Sequence, residues 1–232
     1  MAALACARPA APTPAAPLVA SVPFVDGEQY RYSLRGDTRG ATETVAGRGT
    51  LTTRRTSEGW ELRQQYEEVG PPAGVKPTSD TSTVLVDATS LQPLRSDRVI
   101  ERRESTERYG AAYAVGSVTL EHDSEKPRAL KLGDQAVFDN EGALWLWRTL
   151  PFAEGYQQRY TSVGLTDRSR QTVSLTVTGR QRVEVPGGTF EAWRLQVRNG
   201  RATRVAWINV DAPHQIVQWD NGSVVFQLES AR

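Results

Sequence analysis

The stretch RQTVSLTVTGRQRVEVPGGTFEAWRLQVRNGRATRVAWINVDAPHQIVQWDNGSVVFQLE, residues 170–229, decides the fold. It reads as six short strands with tight turns between them. Over 171–178, Val173, Leu175 and Val177 share one face, and Thr or Ser the other. Residues 182–185 continue the sheet and stop at Pro186-Gly187-Gly188. Over 189–198, Trp193, Leu195 and Val197 lie opposite Ala192, Arg194, Gln196 and Arg198. Asn199-Gly200 turns the chain into 202–210, and 215–219, Asn221-Gly222 and 223–229 make the last hairpin. A period of two bounded by Gly, Asn and Pro is a strand signal, and Asn-Gly tolerates the positive φ of a tight hairpin turn.

The N-terminal half repeats the pattern. Residues 28–35 place Tyr30, Tyr32 and Leu34 on one face; 45–54 and 59–69 follow, the latter with Trp60, Leu62 and Tyr66 together. Gly47 and Gly49 within a strand mark a bend or a close approach. After the Pro- and Gly-rich loop 70–80, strands are expected over 81–86, 91–103 and 112–122, the charged 91–103 as an exposed or edge strand. Residues 128–132 and 136–138 are expected to pair with each other.

One segment departs from period two. Asp139 or Asn140 can cap a helix over 143–150, Glu141 suits its first turn, and Pro151 stops it. Leu144, Trp147 and Leu150 form its apolar stripe, and Trp145 points elsewhere. The expected fold is mainly β: one curved antiparallel sheet of about a dozen strands, a half-barrel or open barrel, with this helix across the concave face.

Acids and bases nearly balance, leaving a net charge of +1, and they are interspersed. A nucleic-acid surface would show a clustered basic excess. Cys6 is the only cysteine, so no intramolecular disulfide forms. The run Ala3-Leu4-Ala5-Cys6 resembles the end of a bacterial lipoprotein signal, although Leu is usual where Ala3 stands, and a basic, apolar leader ending at Ala5 is expected upstream. Residues 1–22 read as an Ala/Pro-rich tether, with Cys6 its lipidation site and only membrane contact, and 23–232 as one β domain.

The motif Val183-Glu184-Val185-Pro186-Gly187-Gly188-Thr189-Phe190, the aromatic strand after it, and Trp207-Ile208-Asn209-Val210-Asp211-Ala212-Pro213-His214 resemble an uncharacterised family of bacterial cell-envelope proteins, a domain of unknown function. The resemblance runs from about residue 28 to 229 in order of elements, but only these motifs are specific. It implies a half-barrel similar to the periplasmic lipoprotein carriers (LolA/LolB-like), a helix over a concave apolar face, a location in the bacterial cell envelope and no catalytic residues.

The residues themselves offer little chemistry. His122 and His214 are not spaced as a metal pair, and no nucleophile elbow or phosphate-cradling loop is present. No metal or cofactor is expected. A hydrolase using His214, with Asp211 and Ser223 near it, is the alternative reading; an adaptor domain without ligand is another. The leading expectation is a non-enzymatic protein that binds a lipid, another apolar ligand or a protein partner on the concave face. The binding residues would be Tyr30, Tyr32, Trp145, Phe152, Trp193 and Trp207, although the tryptophans equally suit a sheet core. Trp145→Ala is then expected to cost little stability.

Overall fold

The computed structural model describes residues 17–36, 45–70, 76–133, 136–200 and 202–232. Fifteen strands form one open sheet. They are β1 (Gln29–Gly36), β2 (Val45–Arg55), β3 (Trp60–Glu68), β4 (Ser79–Val86), β5 (Pro93–Glu101), β6 (Thr106–Ala114), β7 (Ser117–His122) and β8 (Arg128–Lys131), then β9 (Val137–Asp139), β10 (Gln157–Gly164), β11 (Ser169–Val185), β12 (Gly188–Asn199), β13 (Ala202–Asn209), β14 (Ile216–Asp220) and β15 (Val224–Ala231). The order β8-β7-β6-β5-β4-β3-β2-β1-β15-β14-β13-β12-β11-β10-β9 is two meanders joined by the pairing of β1 with β15. A 3₁₀ turn (Asn140–Gly142) leads into helix α1 (Ala143–Trp147).

The curved sheet with one short helix is as read from the sequence, with four local differences. Residues 112–122 are not one strand. Gly116, at φ +72°, closes a two-residue turn between β6 and β7. Such a turn flips the parity of the alternation, so Ala114 faces out, while Tyr109, Ala111 and Tyr113 join Val118 and Leu120 inside. Strands β8 and β9 do not pair with each other. β8 pairs with β7 as an outer edge, and β9 pairs with β10 in the one parallel ladder among the described residues. β5 is no edge but lies between β4 and β6, with Arg95 and Asp97 exposed on its outer face. The stretches 171–178 and 182–185 are one strand, β11, irregular between Val177 and Gly179.

Apolar side chains of both meanders fill the concave side. A second, smaller core lies where Tyr109, Ala111, Val118 and Leu120 meet Val137, Val163 and Leu165. There the two ends of the sheet approach through side chains rather than a ladder. Ser96 Oγ and Tyr113 OH each donate to Asp139 Oδ2 at 2.6 Å. Of the stretch read as a tether, residues 17–22 lie on the domain: Leu18 is buried, and Ala20 N–H donates to the Thr149 carbonyl at 2.8 Å. Cys6 and residues 1–16 lie outside the described residues.

Candidate ligand cavity between helix and sheet

Asp139 caps the 3₁₀ turn, its Oδ1 accepting from Glu141 N–H at 2.8 Å. The helix that follows is shorter than the expected 143–150, and all five of its residues are buried. A segment apolar on every side has no edge to leave exposed. Trp145 is therefore not at a groove rim. It is 1% exposed, and its Nε1–H donates to Thr53 Oγ1 at 2.8 Å. Thr53 in turn donates to Glu28 Oε1 at 2.8 Å.

The other residues expected to bind ligand scatter. Tyr30 is buried and donates to Glu28 Oε2 at 2.9 Å; buried Tyr32 donates to the Ile216 carbonyl at 2.9 Å. Phe152 is half-buried and stacks on Trp193 with ring centres 6.0 Å apart; the Arg180 guanidinium covers Trp193 at 4.1 Å. Trp207 is half-buried. Of the six, Phe152 and Trp193 make a ring contact, and none lines the cavity between helix and sheet.

That cavity has a volume of about 340 Å³. Its apolar lining is Leu144 and Trp147 from the helix, with Tyr66, Tyr160, Val173, Val197, Trp219 and Phe226 from six strands. Trp147 meets Trp219 edge-on at 4.8 Å between ring centres, and its Nε1–H donates to Tyr160 OH at 3.3 Å. Tyr66 reaches the cavity because Gly49 lies under its ring: a Cβ at Gly49 would stand 3.0 Å from Tyr66 Cδ1. Its polar lining is in two groups. Gln64, Arg98 and Glu141 form one; Asn140, Asn199, Arg204 and Asn221 form the other.

The first group is fully engaged. Arg98 Nε donates to Asp80 Oδ1 at 2.9 Å and Nη1 to Glu141 Oε1 at 2.9 Å, while Gln64 Nε2 donates to Glu141 Oε2 at 3.0 Å. Burial pushes the Glu141 carboxyl up to about 7; Arg98 opposes this, and Asp139 and Asp80 add to it. Burial also raises Asp139, against the hydrogen bonds from Ser96 and Tyr113. A larger hollow of about 500 Å³, lined by Arg31, Tyr32, Arg48 and Glu67, is mostly polar.

Sequence reasoning missed these polar groups, yet a signal exists. Period two along β12 carries Trp193, Leu195 and Val197 on to Asn199, and along β13 it aligns Arg204 with the buried Ala206 and Ile208. Across β3, β4 and β5, Gln64, Ser82 and Arg98 are direct neighbours in register. Polar side chains on an inward face are the informative exceptions to burial. His214 gives no such signal. Its Nδ1 hydrogen-bonds the Asn209 carbonyl at 3.0 Å, and neither Asp211 nor Ser223 hydrogen-bonds the ring. Among the described residues, no three or more His, Cys, Asp or Glu side chains converge to hold a metal, and no helix is long and apolar enough to cross a membrane.

The family model described as a protein of unknown function (DUF3108) matches residues 24–229. No curated protein is similar to the chain in sequence. Among solved structures, a beta-barrel-like protein of the domain of unknown function DUF1849 from Brucella abortus superposes with a TM-score of 0.56 at 12% identity, over 89% of this chain and 97% of that one. That likeness is one of fold. A candidate lipoprotein from Parabacteroides distasonis is matched at TM-score 0.33 and 10% identity, over 90% of this chain and 97% of that one. A candidate exported protein with a YmcC-like fold from Bacteroides fragilis is matched at TM-score 0.31 and 12% identity, with the same coverage.

Proposed function

The chain belongs to the DUF3108 family, and we propose that it is a non-enzymatic cell-envelope protein that holds an apolar or amphipathic ligand between its helix and the concave face of its sheet. The observation that carries this reading is the cavity itself. A folded interior is normally filled to the density of an organic crystal. Here about 340 Å³ is left open beside Trp147, Trp219 and Phe226, with polar groups set into the same wall. Small-ligand sites combine these features, at roughly 300–1,000 Å³. The volume suits one acyl chain better than several.

The envelope location and the lipid anchor rest on Ala3-Leu4-Ala5-Cys6 and the Ala/Pro-rich run behind it. Stable anchoring takes more than one acyl chain, which lipoprotein processing supplies. Mass spectrometry of the natively purified protein tests the binding reading: a bound lipid supports it. Lipid-free protein whose tryptophan emission stays unmoved on titration with single-chain amphiphiles, charged and uncharged, overturns it. Comparing the membrane association of wild type and Cys6→Ser, each expressed with the natural upstream sequence, tests the anchor.

A further inference from the structure

We propose that Arg204, assisted by Asn199, is the head-group anchor of this cavity, and that the ligand is a single-chain amphiphile with an anionic head, a carboxylate or a phosphate. This rests on the ligand-cavity reading above and assigns its ligand class. Arg204 is half-buried on the inward face of β13 and has no hydrogen bond or ion pair with any described residue. Its Nε is shut off from solvent without an acceptor. Arg98, in the same cavity wall, is by contrast neutralised by both Asp80 and Glu141.

A guanidinium whose Nε is shut off from water without an acceptor is an unfinished interaction, because its fork of N–H donors fits two oxygens of one anion. Asn199 Oδ1 is buried and unpaired beside it. A carboxamide turned through 180° presents its NH₂ to the same point. The two therefore supply several donors where a head group would sit.

The surroundings give the ligand a direction. Asn140, Asn199 and Arg204 line both the main cavity and a smaller hollow of about 150 Å³. That hollow continues over Ser162, Thr166 and Gln171 and is polar. Its one carboxylate, Asp167, is engaged by the Ser169 hydroxyl and Gln171 Nε2, each at 2.7 Å, and makes no ion pair with Arg204. On the other side of Arg204 lie Leu144, Trp147, Val173, Trp219 and Phe226. A head at Arg204 thus lays its chain along these apolar side chains.

The test uses ligands of one chain length: dodecanoate, dodecyl phosphate and uncharged dodecanol, each titrated below its micelle concentration and followed by calorimetry. Wild type is expected to bind at least one anion about tenfold or more tighter than dodecanol, since a hydrogen-bonded charge pair is worth that much. The tighter of the two anions identifies the head group. Arg204→Gln should lose that preference while keeping its affinity for dodecanol, and Arg204→Lys should recover part of it. Binding with no preference for an anion in wild type, or a preference unchanged in Arg204→Gln, overturns the anchor and leaves the cavity reading standing. Failure of wild type to bind any of the three overturns both. Should Arg204→Gln not fold, the wild-type preference decides.

Discussion

Arg148, at the end of the helix, meets Glu28, just before β1, in a two-pronged ion pair: Nη1 to Oε1 at 2.7 Å and Nη2 to Oε2 at 2.9 Å. Both side chains are buried. Glu28 also accepts from Tyr30 and Thr53, and Arg148 also donates to the Pro213 carbonyl at 3.0 Å and lies 5.0 Å over the Phe24 ring. This one contact ties the helix, the start of the sheet and the loop before β14.

Removing one partner strands the other charge away from water. Glu28→Ala or Arg148→Ala should each destabilise by about 3–5 kcal/mol. The double change to apolar residues of similar volume should cost less than the sum, because neither charge is left behind. Urea unfolding of the two singles and the double checks this; additive losses would show that the pair is not coupled.

Trp145 adds to the same network through Thr53. Trp145→Ala should destabilise by about 3–5 kcal/mol, the range for deleting a buried large aromatic. Thr53→Val keeps the volume but leaves the indole N–H without its acceptor and removes one of the two donors to Glu28 Oε1. It should cost about 1–3 kcal/mol. A Trp145→Ala midpoint equal to wild type would contradict the buried placement.

Glu141 makes stability depend on pH with an unusual sign. Its carboxyl titrates at about 7 when folded against an ordinary value of 4.5. Below pH 4.5 both folded and unfolded chains hold this proton, and its contribution is fully present. Between 4.5 and 7 the unfolded chain releases the proton first, so stability falls as pH rises, and the loss is complete above about 7. The size is on the order of 3 kcal/mol over the window. Asp139, also raised, acts in the same direction. The difference in unfolding free energy between wild type and Glu141→Gln, measured from pH 4 to pH 8, should drift by that amount; a constant difference would refute it.

Two glycines with positive φ separate strain from collision. A Cβ at Gly59 would stand 1.9 Å from the Val86 carbonyl oxygen, whereas one at Gly116 would meet nothing within 4 Å. Gly116→Ala should cost about 1 kcal/mol from backbone strain alone. Gly59→Ala should cost clearly more, because the backbone of the β4 end must move. Equal melting temperatures for the two variants would contradict this.

Much of this architecture is legible in the alternation of Val173, Leu175 and Val177 and of Trp193, Leu195 and Val197, because a period of two states both the strand and its buried face. It misleads where a turn lacks strong punctuation. Val115-Gly116 sits inside an unbroken alternation, and a turn of two residues there changes which parity faces in. The brevity of the helix was a further obstacle. At five residues it has no room for a polar side, so Trp145 could not be left outside once the helix was covered. The cavity was hidden for another reason. Its shape depends on where β3, β5, β12 and β13 come to face one another, and that follows from how the two meanders curve. Arg204 and Asn199 could still have been singled out as polar residues on an apolar face.

The pairing of β1 with β15 has a consequence for how this chain comes to be folded. Tyr30 stands opposite Ala231, and Leu34 opposite Phe226. Each meander can zip locally, hairpin by hairpin, but the edge of β1 stays open until the far end of the domain has been made. A nascent N-terminal half therefore presents a bare strand edge flanked by Tyr30, Tyr32 and Leu34, the kind of surface on which chains stick to one another. The join is also the slow kind, since closing so long a loop precedes any reward from the contact. Until β15 arrives, the chain depends on whatever shields that edge.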